Sequence, residues 1–154
     1  MAKQPHLLVE PGEVNGLALL PGDPGRVDRI ADRCADPTTV AENREYKLVN
    51  ATYRDRPVTI CSTGIGCPSA AIAVEELAAV GVEILIRVGT TGALQRGIEI
   101  GDMVVATGAA KEEGTSKRYE DSVIPAVPDY DVLTALVDAA ERNGEDVHVG
   151  PIVS

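Results

Sequence analysis

Apolar positions in this chain gather into five short runs, at 17–20, 57–62, 84–89, 103–107 and 147–153. Each is short and bounded by turn residues, and the run at 57–62 is β-branched as well, the pattern of a buried strand. Between them lie segments of helical spacing at 27–33, 69–80 and 130–143. In the last of these Val132, Leu133, Leu136, Val137 and Ala140 share one face. Asp129 offers that helix an N-cap, and Asn143-Gly144 offers it a C-cap. Residues 44–53 read as an extended hairpin arm leading to a turn at Asp55-Arg56-Pro57. Residues 109–121 are polar and charged, and read as a mobile loop over a site or a subunit contact. Strands alternating with helices imply an α/β fold with a largely parallel or mixed central sheet flanked by helices. By length, residues 1–154 fit a single domain.

Candidate chemistry sits where strands give way to turns. Leu17 to Leu20 run into Pro21-Gly22-Asp23-Pro24-Gly25-Arg26, and a helix follows. Backbone N–H groups at a helix start lack intrahelical partners and face outward. Gly22 allows close backbone approach, and Arg26 supplies a charged fork for oxyanions. A tight turn with a surface arginine would look the same. A second strand ends in Thr63-Gly64-Ile65-Gly66-Cys67-Pro68-Ser69 before another helix. A third, Ile84-Leu85-Ile86-Arg87-Val88, runs into Gly89-Thr90-Thr91-Gly92-Ala93. Arg87 interrupts an apolar strand, and a buried guanidinium needs a partner. That partner is either an internal carboxylate or an anion bound at the strand's C-terminal end.

These three stretches, together with Pro5-His6, Asn43-Arg44-Glu45-Tyr46 and Pro125-Ala126-Val127-Pro128-Asp129-Tyr130, closely resemble the nucleoside phosphorylase family of uridine phosphorylases and hexameric purine nucleoside phosphorylases. Thr90-Thr91-Gly92 looks more like the uridine enzymes, and residues 111–120 look like archaeal relatives. The resemblance implies a phosphorylase/hydrolase-like fold and reversible phosphorolysis of a nucleoside, uridine favoured, to free base and ribose 1-phosphate. Carried over by position, Gly22, Arg26, Arg44, Arg87 and Thr90 bind phosphate, with Arg87 and Thr90 closest to catalysis. His6, Thr91 and Gly92 bind the nucleoside. His6 and Arg44 reach, in that family, into the neighbouring subunit's site, so the resemblance implies a homo-oligomer built on dimers, possibly a hexamer. No cofactor and no metal are implied; inorganic phosphate is a co-substrate. Family chains continue well past Ser154, and their Met-Glu pair for the ribose hydroxyls has no counterpart here. The expectation is therefore a phosphate half whose C-terminal part is missing and which lacks full activity alone. Without the family, His6 would be an exposed residue of an N-terminal segment, and Arg44, beside Glu42 and Glu45, a surface ion-pair partner. Of Glu75 and Glu76, within the helix, one is expected to be buried, and neither is given a catalytic role.

Composition narrows the picture. The chain is 44% hydrophobic, with four tyrosines as its only aromatic residues, so its core rests on Val, Ile, Leu and Ala. A net charge of −10 argues against a nucleic-acid partner. Few lysines and many acids suggest a surface adapted to high salt. The three cysteines, Cys34, Cys61 and Cys67, have no metal-ligand spacing and give no disulfide framework. No signal peptide and no membrane-length apolar run is evident, which points to a reducing cytoplasm. Two other classes compete. Gly64-Ile65-Gly66-Cys67-Pro68-Ser69 lies near a dinucleotide-binding fingerprint, but Ser69 and Pro68 depart from it and the following strand ends without an acid. A non-catalytic phosphate- or nucleoside-binding protein is the other alternative.

Overall fold

A computed structural model describes residues 3–121 and 123–154. The chain divides into two compact units, Met1–Thr90 and Thr91–Ser154.

The first unit runs β1 (Leu17–Pro21), α1 (Pro24–Ala31), β2 (Ala35–Asn43), β3 (Tyr46–Tyr53), β4 (Arg56–Cys61), α2 (Cys67–Ala79) and β5 (Ile84–Val88). Its sheet has the order β2-β3-β4-β1-β5. β1 is parallel to both β4 and β5, whereas β2, β3 and β4 form an antiparallel meander. The sheet is therefore mixed and helix-flanked, as the strand–helix alternation implies.

Period-two alternation explains how both faces are covered. Ala18, Leu20, Leu48 and Cys61 pack with Ala73 and Leu77 of α2. Their strand neighbours Leu17, Leu19, Val49 and Ile60 pack with Val27 and Ala31 of α1. α1 thus leaves β1 on one face, and α2 carries β4 across to β5 on the other. The chain diverges at the C-terminal end of β1, where open α/β sheets leave a crevice.

Local chemistry sets the helix starts. Asp23 caps α1, its Oδ1 accepting from Gly25 N at 3.1 Å, with Pro24 in the first turn. α2 begins after Gly66 at φ +95° without a side-chain cap. Ser69 Oγ there donates to Thr63 O at 2.7 Å, fastening the helix start to the end of the preceding strand.

Two expectations shift. The sequence pattern assigns no strand to 35–43, yet β2 occupies it. Its first five residues are exposed, so no apolar alternation marks it. It is an edge strand held by pairing with β3. The hairpin turn expected at Asp55-Arg56-Pro57 lies at Arg54-Asp55, with φ +46° and +62°. Two left-handed residues close a two-residue hairpin whose twist suits the strands, so β4 starts at Arg56.

The second unit holds β6 (Met103–Ala110), a 3₁₀ turn at Ser116–Arg118, α3 (Tyr130–Arg142) and β7 (Val147–Val153), with β6 parallel to β7. Asp129 caps α3 by accepting from Val132 N at 3.0 Å, and Gly144 at φ +72° follows its end. β6 continues past residue 107 because Ala109 and Ala110 still pair with Ile152 and Val153. In the segment read as a mobile loop, the Glu113 carboxylate accepts from Thr115 N at 2.5 Å, from Ser116 N at 2.9 Å and from the Ser116 hydroxyl. These donors pull Glu113 down to about 2. Among the described residues no helix is long and apolar enough to cross a membrane.

Candidate functional site

The C-terminal ends of β1, β4 and β5 converge on a cleft of about 710 Å³. Gly22, Asp23 and Arg26 enter it from the β1–α1 turn, Gly64 to Gly66 from the β4–α2 turn, and Arg87 and Thr90 from the end of β5. Glu45 lines it from the turn between β2 and β3. The parallel register sets Leu20 beside Arg87 and Pro21 beside Val88, which brings the first and third sequence stretches together.

Arg87 is held by backbone. Its Nη1 donates to Leu20 O at 2.7 Å and to Val88 O at 2.9 Å. Its Nη2 lies where a side chain at position 22 would point: a Cβ on Gly22 would stand 3.2 Å from it. Arg26 Nη1 reaches Val88 O at 3.5 Å, at the margin of a hydrogen bond. Arg87 is exposed rather than buried as its place in an apolar strand suggests, and partial desolvation of its guanidinium, then the Arg26 cation, push it below its ordinary range. Among the described residues the ion pairs are His6–Glu76, Lys47–Asp28 and His148–Asp102, so neither guanidinium is matched with a carboxylate. The internal ion pair weighed for Arg87 is absent among these residues. Two neighbouring cations with donors to spare make a place for an anion.

Gly22 and Gly64 bring backbone close to this point. A Cβ on Gly22 would also meet Gly64 O at 3.4 Å. Gly64 has φ +70°, and a Cβ there would stand 2.6 Å from Glu45 Cγ. Glycine is required at Gly64 on both counts.

The other expected site residues lie elsewhere. Arg44 is exposed in the β2–β3 turn at φ +56° and does not line the cleft. His6 does not line it either, but it is firmly placed. Its backbone N–H and that of Leu7 donate to the Glu76 carboxylate, at 3.1 and 2.8 Å, and its Nδ1 lies 2.5 Å from Glu76 Oε1. Asn43 Nδ2 donates to His6 O at 2.8 Å, joining the His6 segment to the hairpin that carries Arg44. Thr91 and Gly92 are exposed in the coil that opens the second unit. Glu45 and Glu76 are the residues whose parts the sequence did not show. Glu45 stands inside a quoted motif, but nothing in its spacing marks it as a cleft residue. Glu76 sits on the apolar stripe of α2 with Ala73 and Leu77, a position that favours burial over Glu75.

The second unit has a smaller cleft of about 490 Å³ beside Gly108, Ala126 and Pro151, with Lys111 and Glu112 as its charged lining residues. Opposite charges and a mostly apolar wall give it no comparable anion chemistry. Among the described residues no group of three or more His, Cys, Asp or Glu side chains is placed to hold a metal ion.

The sequence pattern of the phosphorylase superfamily matches residues 17–154. Over 154 residues the chain is 73% identical to a guanosine phosphorylase of Halorubrum lacusprofundi, covering all of this chain and 64% of that protein. Over 147 residues it is 48% identical to a uridine phosphorylase of Thermococcus kodakarensis, covering 96% of this chain and 53% of that one. A crystal structure of uridine phosphorylase from Vibrio fischeri ES114 matches with a TM-score of 0.97 and 41% identity, over 100% of this chain and 64% of that chain. A crystal structure of purine nucleoside phosphorylase from Toxoplasma gondii in complex with immucillin-H matches with a TM-score of 0.97 and 35% identity, over 100% and 62%. The chain thus spans less than two thirds of the length of each.

Proposed function

The chain belongs to the phosphorylase superfamily, and from that premise we propose that it is the phosphate-holding part of a nucleoside phosphorylase. The observation that carries this reading is the pair Arg26 and Arg87, two guanidiniums without carboxylate partners among the described residues, at the strand ends beside Gly22.

In this reading inorganic phosphate lies in the cleft, with Gly22 N–H, Arg26, Arg87 and the Thr90 hydroxyl on its oxygens. A phosphate oxygen forms a bond to the anomeric carbon as the glycosidic C–N bond breaks. The electron pair of that bond leaves with the base, which takes up a proton. Because positive charge develops on the sugar as the base leaves with the electron pair, fixing the phosphate anion under the sugar supplies much of the catalysis. No cofactor takes part. His6 and Arg44, tied together through Asn43, serve the cleft of a second copy, so the working unit is at least a dimer. Thr91 and Gly92 line the nucleoside side. Free thiols and the lack of a membrane-length helix among the described residues suit a cytoplasmic setting.

For the base, the relative at 73% identity favours guanosine. Thr90-Thr91-Gly92 and the relatives named uridine phosphorylase favour uridine. Release of free base from each nucleoside, measured with and without phosphate on the natural protein that carries these residues, tests the reading. Phosphate-dependent release supports it, and the faster nucleoside assigns the base. Release that proceeds equally without phosphate would make the protein a hydrolase and refute the anion role.

A further inference from the structure

Asparagine stands before glycine twice in this chain, at Asn15-Gly16 and at Asn143-Gly144. Such a pair can react with itself. The side-chain amide carbon of the asparagine can close a five-membered ring with the backbone nitrogen that follows it, and glycine puts no Cβ in the way. Whether the ring closes depends on how firmly the fold holds the amide and that nitrogen.

The fold holds the two pairs differently. At the end of α3 both reacting groups are engaged: Asn143 Nδ2 donates to Ala139 O at 2.8 Å, and Gly144 N donates to Glu141 O at 3.0 Å. Ahead of β1 the backbone is bonded on either side of the reacting groups but not at them. Asn15 N donates to the hydroxyl of the fully buried Thr59 at 2.8 Å. Gly16 O accepts from Glu83 N at 2.8 Å and from Ile84 N at 3.0 Å. Among the described residues neither the Asn15 side chain nor the Gly16 N–H has a hydrogen-bond partner. Gly16 is exposed, and a Cβ on it would meet nothing within 4 Å, which leaves the Asn15 side chain room to turn over it.

We propose that Asn15 is a site of spontaneous deamidation and that the fold protects Asn143 from the same reaction. Gly16 N forms a bond to Asn15 Cγ while the Cγ–Nδ2 bond breaks, and the amide nitrogen leaves as ammonia with the proton that Gly16 gave up. Solvent water then opens the succinimide at either carbonyl, giving aspartate or isoaspartate. The net exchange is one water taken up for one ammonia released, with no change of oxidation state. Both products add a negative charge ahead of β1. Isoaspartate also routes the main chain through the side-chain carbon, lengthening by one atom the link between the Thr59 contact and the Glu83 and Ile84 contacts.

The test incubates the folded natural protein in warm alkaline buffer, digests samples over time and weighs the peptides that carry each asparagine. Asn15 should convert about tenfold faster than Asn143 or more, the protection conferred by two hydrogen bonds. In urea, where the fold is gone, the two should convert at similar rates. An isoaspartyl methyltransferase should label aged wild type well above aged Gly16→Ala, whose added methyl hinders the attack. Three results overturn the proposal, and none needs a variant to fold. They are Asn143 converting as fast as Asn15 in the folded protein, a gap between them that persists in urea, and an Asn15 that converts in urea but stays intact in the folded protein.

Discussion

Gly64→Ala is the sharpest single test of how the cleft is built. The residue has φ +70°, and an added Cβ would lie 2.6 Å from Glu45 Cγ, 3.0 Å from Glu45 Cβ and 3.1 Å from Ser69 Oγ. Left-handed backbone costs an L-residue about 1–2 kcal/mol. The steric term adds to it, because Glu45 Cβ belongs to a two-residue turn and cannot swing away like a side-chain tip. Overpacking of this kind costs about 1–3 kcal/mol. The sum is about 2–5 kcal/mol, equivalent to a fall in Tm of roughly 6–15 °C for a chain of this size. Urea unfolding with a constant m-value gives the stability change directly. Gly114→Ala is the control, since its Cβ would meet nothing within 4 Å and its φ is ordinary. It should shift stability by no more than about 0.5 kcal/mol. The same Gly64 variant should bind phosphate more weakly, because any relief moves Glu45 or the Gly64 carbonyl, which face the cleft. A Gly64→Ala protein as stable as Gly114→Ala would refute the close approach of the two turns.

Arg26→Ala and Arg87→Ala should each weaken phosphate binding by about 10- to 100-fold, the range of a charge-assisted hydrogen bond. Arg33→Ala, exposed and outside the cleft, should leave it unchanged, and equal small effects in calorimetry from all three would refute the anion site. Glu113 is held down to about 2 by Ser116 and Thr115, so the contribution of its contacts is complete above the ordinary value of 4.5 and fades as pH falls towards 2. An NMR titration should place its midpoint near the lower value in the wild type and move it upward in Ser116→Ala; a wild-type midpoint at 4.5 would remove the turn's anchor. Burial pushes the Cys61 thiol up to about 12, so at pH 8 a thiol reagent should label Cys61 only after unfolding, and labelling at the rate of a free thiol would contradict its enclosure.

Several strands could be read from sequence because they are short apolar runs bounded by turn residues. β1, β5 and β7 lie where the pattern puts them, to within a residue. β2 could not be read, because an edge strand with exposed side chains owes its existence to the β3 backbone opposite. Its first residues Ala35-Asp36-Pro37 look like a loop, and Asp36 has a left-handed φ of +52°. Helix ends followed their caps closely at α3, where Asp129 and Asn143-Gly144 mark them. At α1 and α2 the prolines Pro24 and Pro68 read as parts of turns but sit inside first turns, where a missing N–H costs nothing, so both helices start earlier than the apolar spacing indicates.

The site divides the same way, between what types of residue are present and what faces them. An arginine inside an apolar strand is visible in sequence, and so is the alternative it poses, a carboxylate or a ligand. The answer is spatial: Arg87 turns its Nη1 to the carbonyls of Leu20 and Val88, and the neighbouring charge that acts on it is another cation, Arg26. A protein with net charge −10 has carboxylates in abundance, yet among the described residues none is bonded to either guanidinium. Beside the Arg26 cation, Arg87 is held by the backbone carbonyls of Leu20 and Val88. In the proposed function, a phosphate dianion bound there would relieve the repulsion and meet donors already oriented, with little reorganisation to oppose binding.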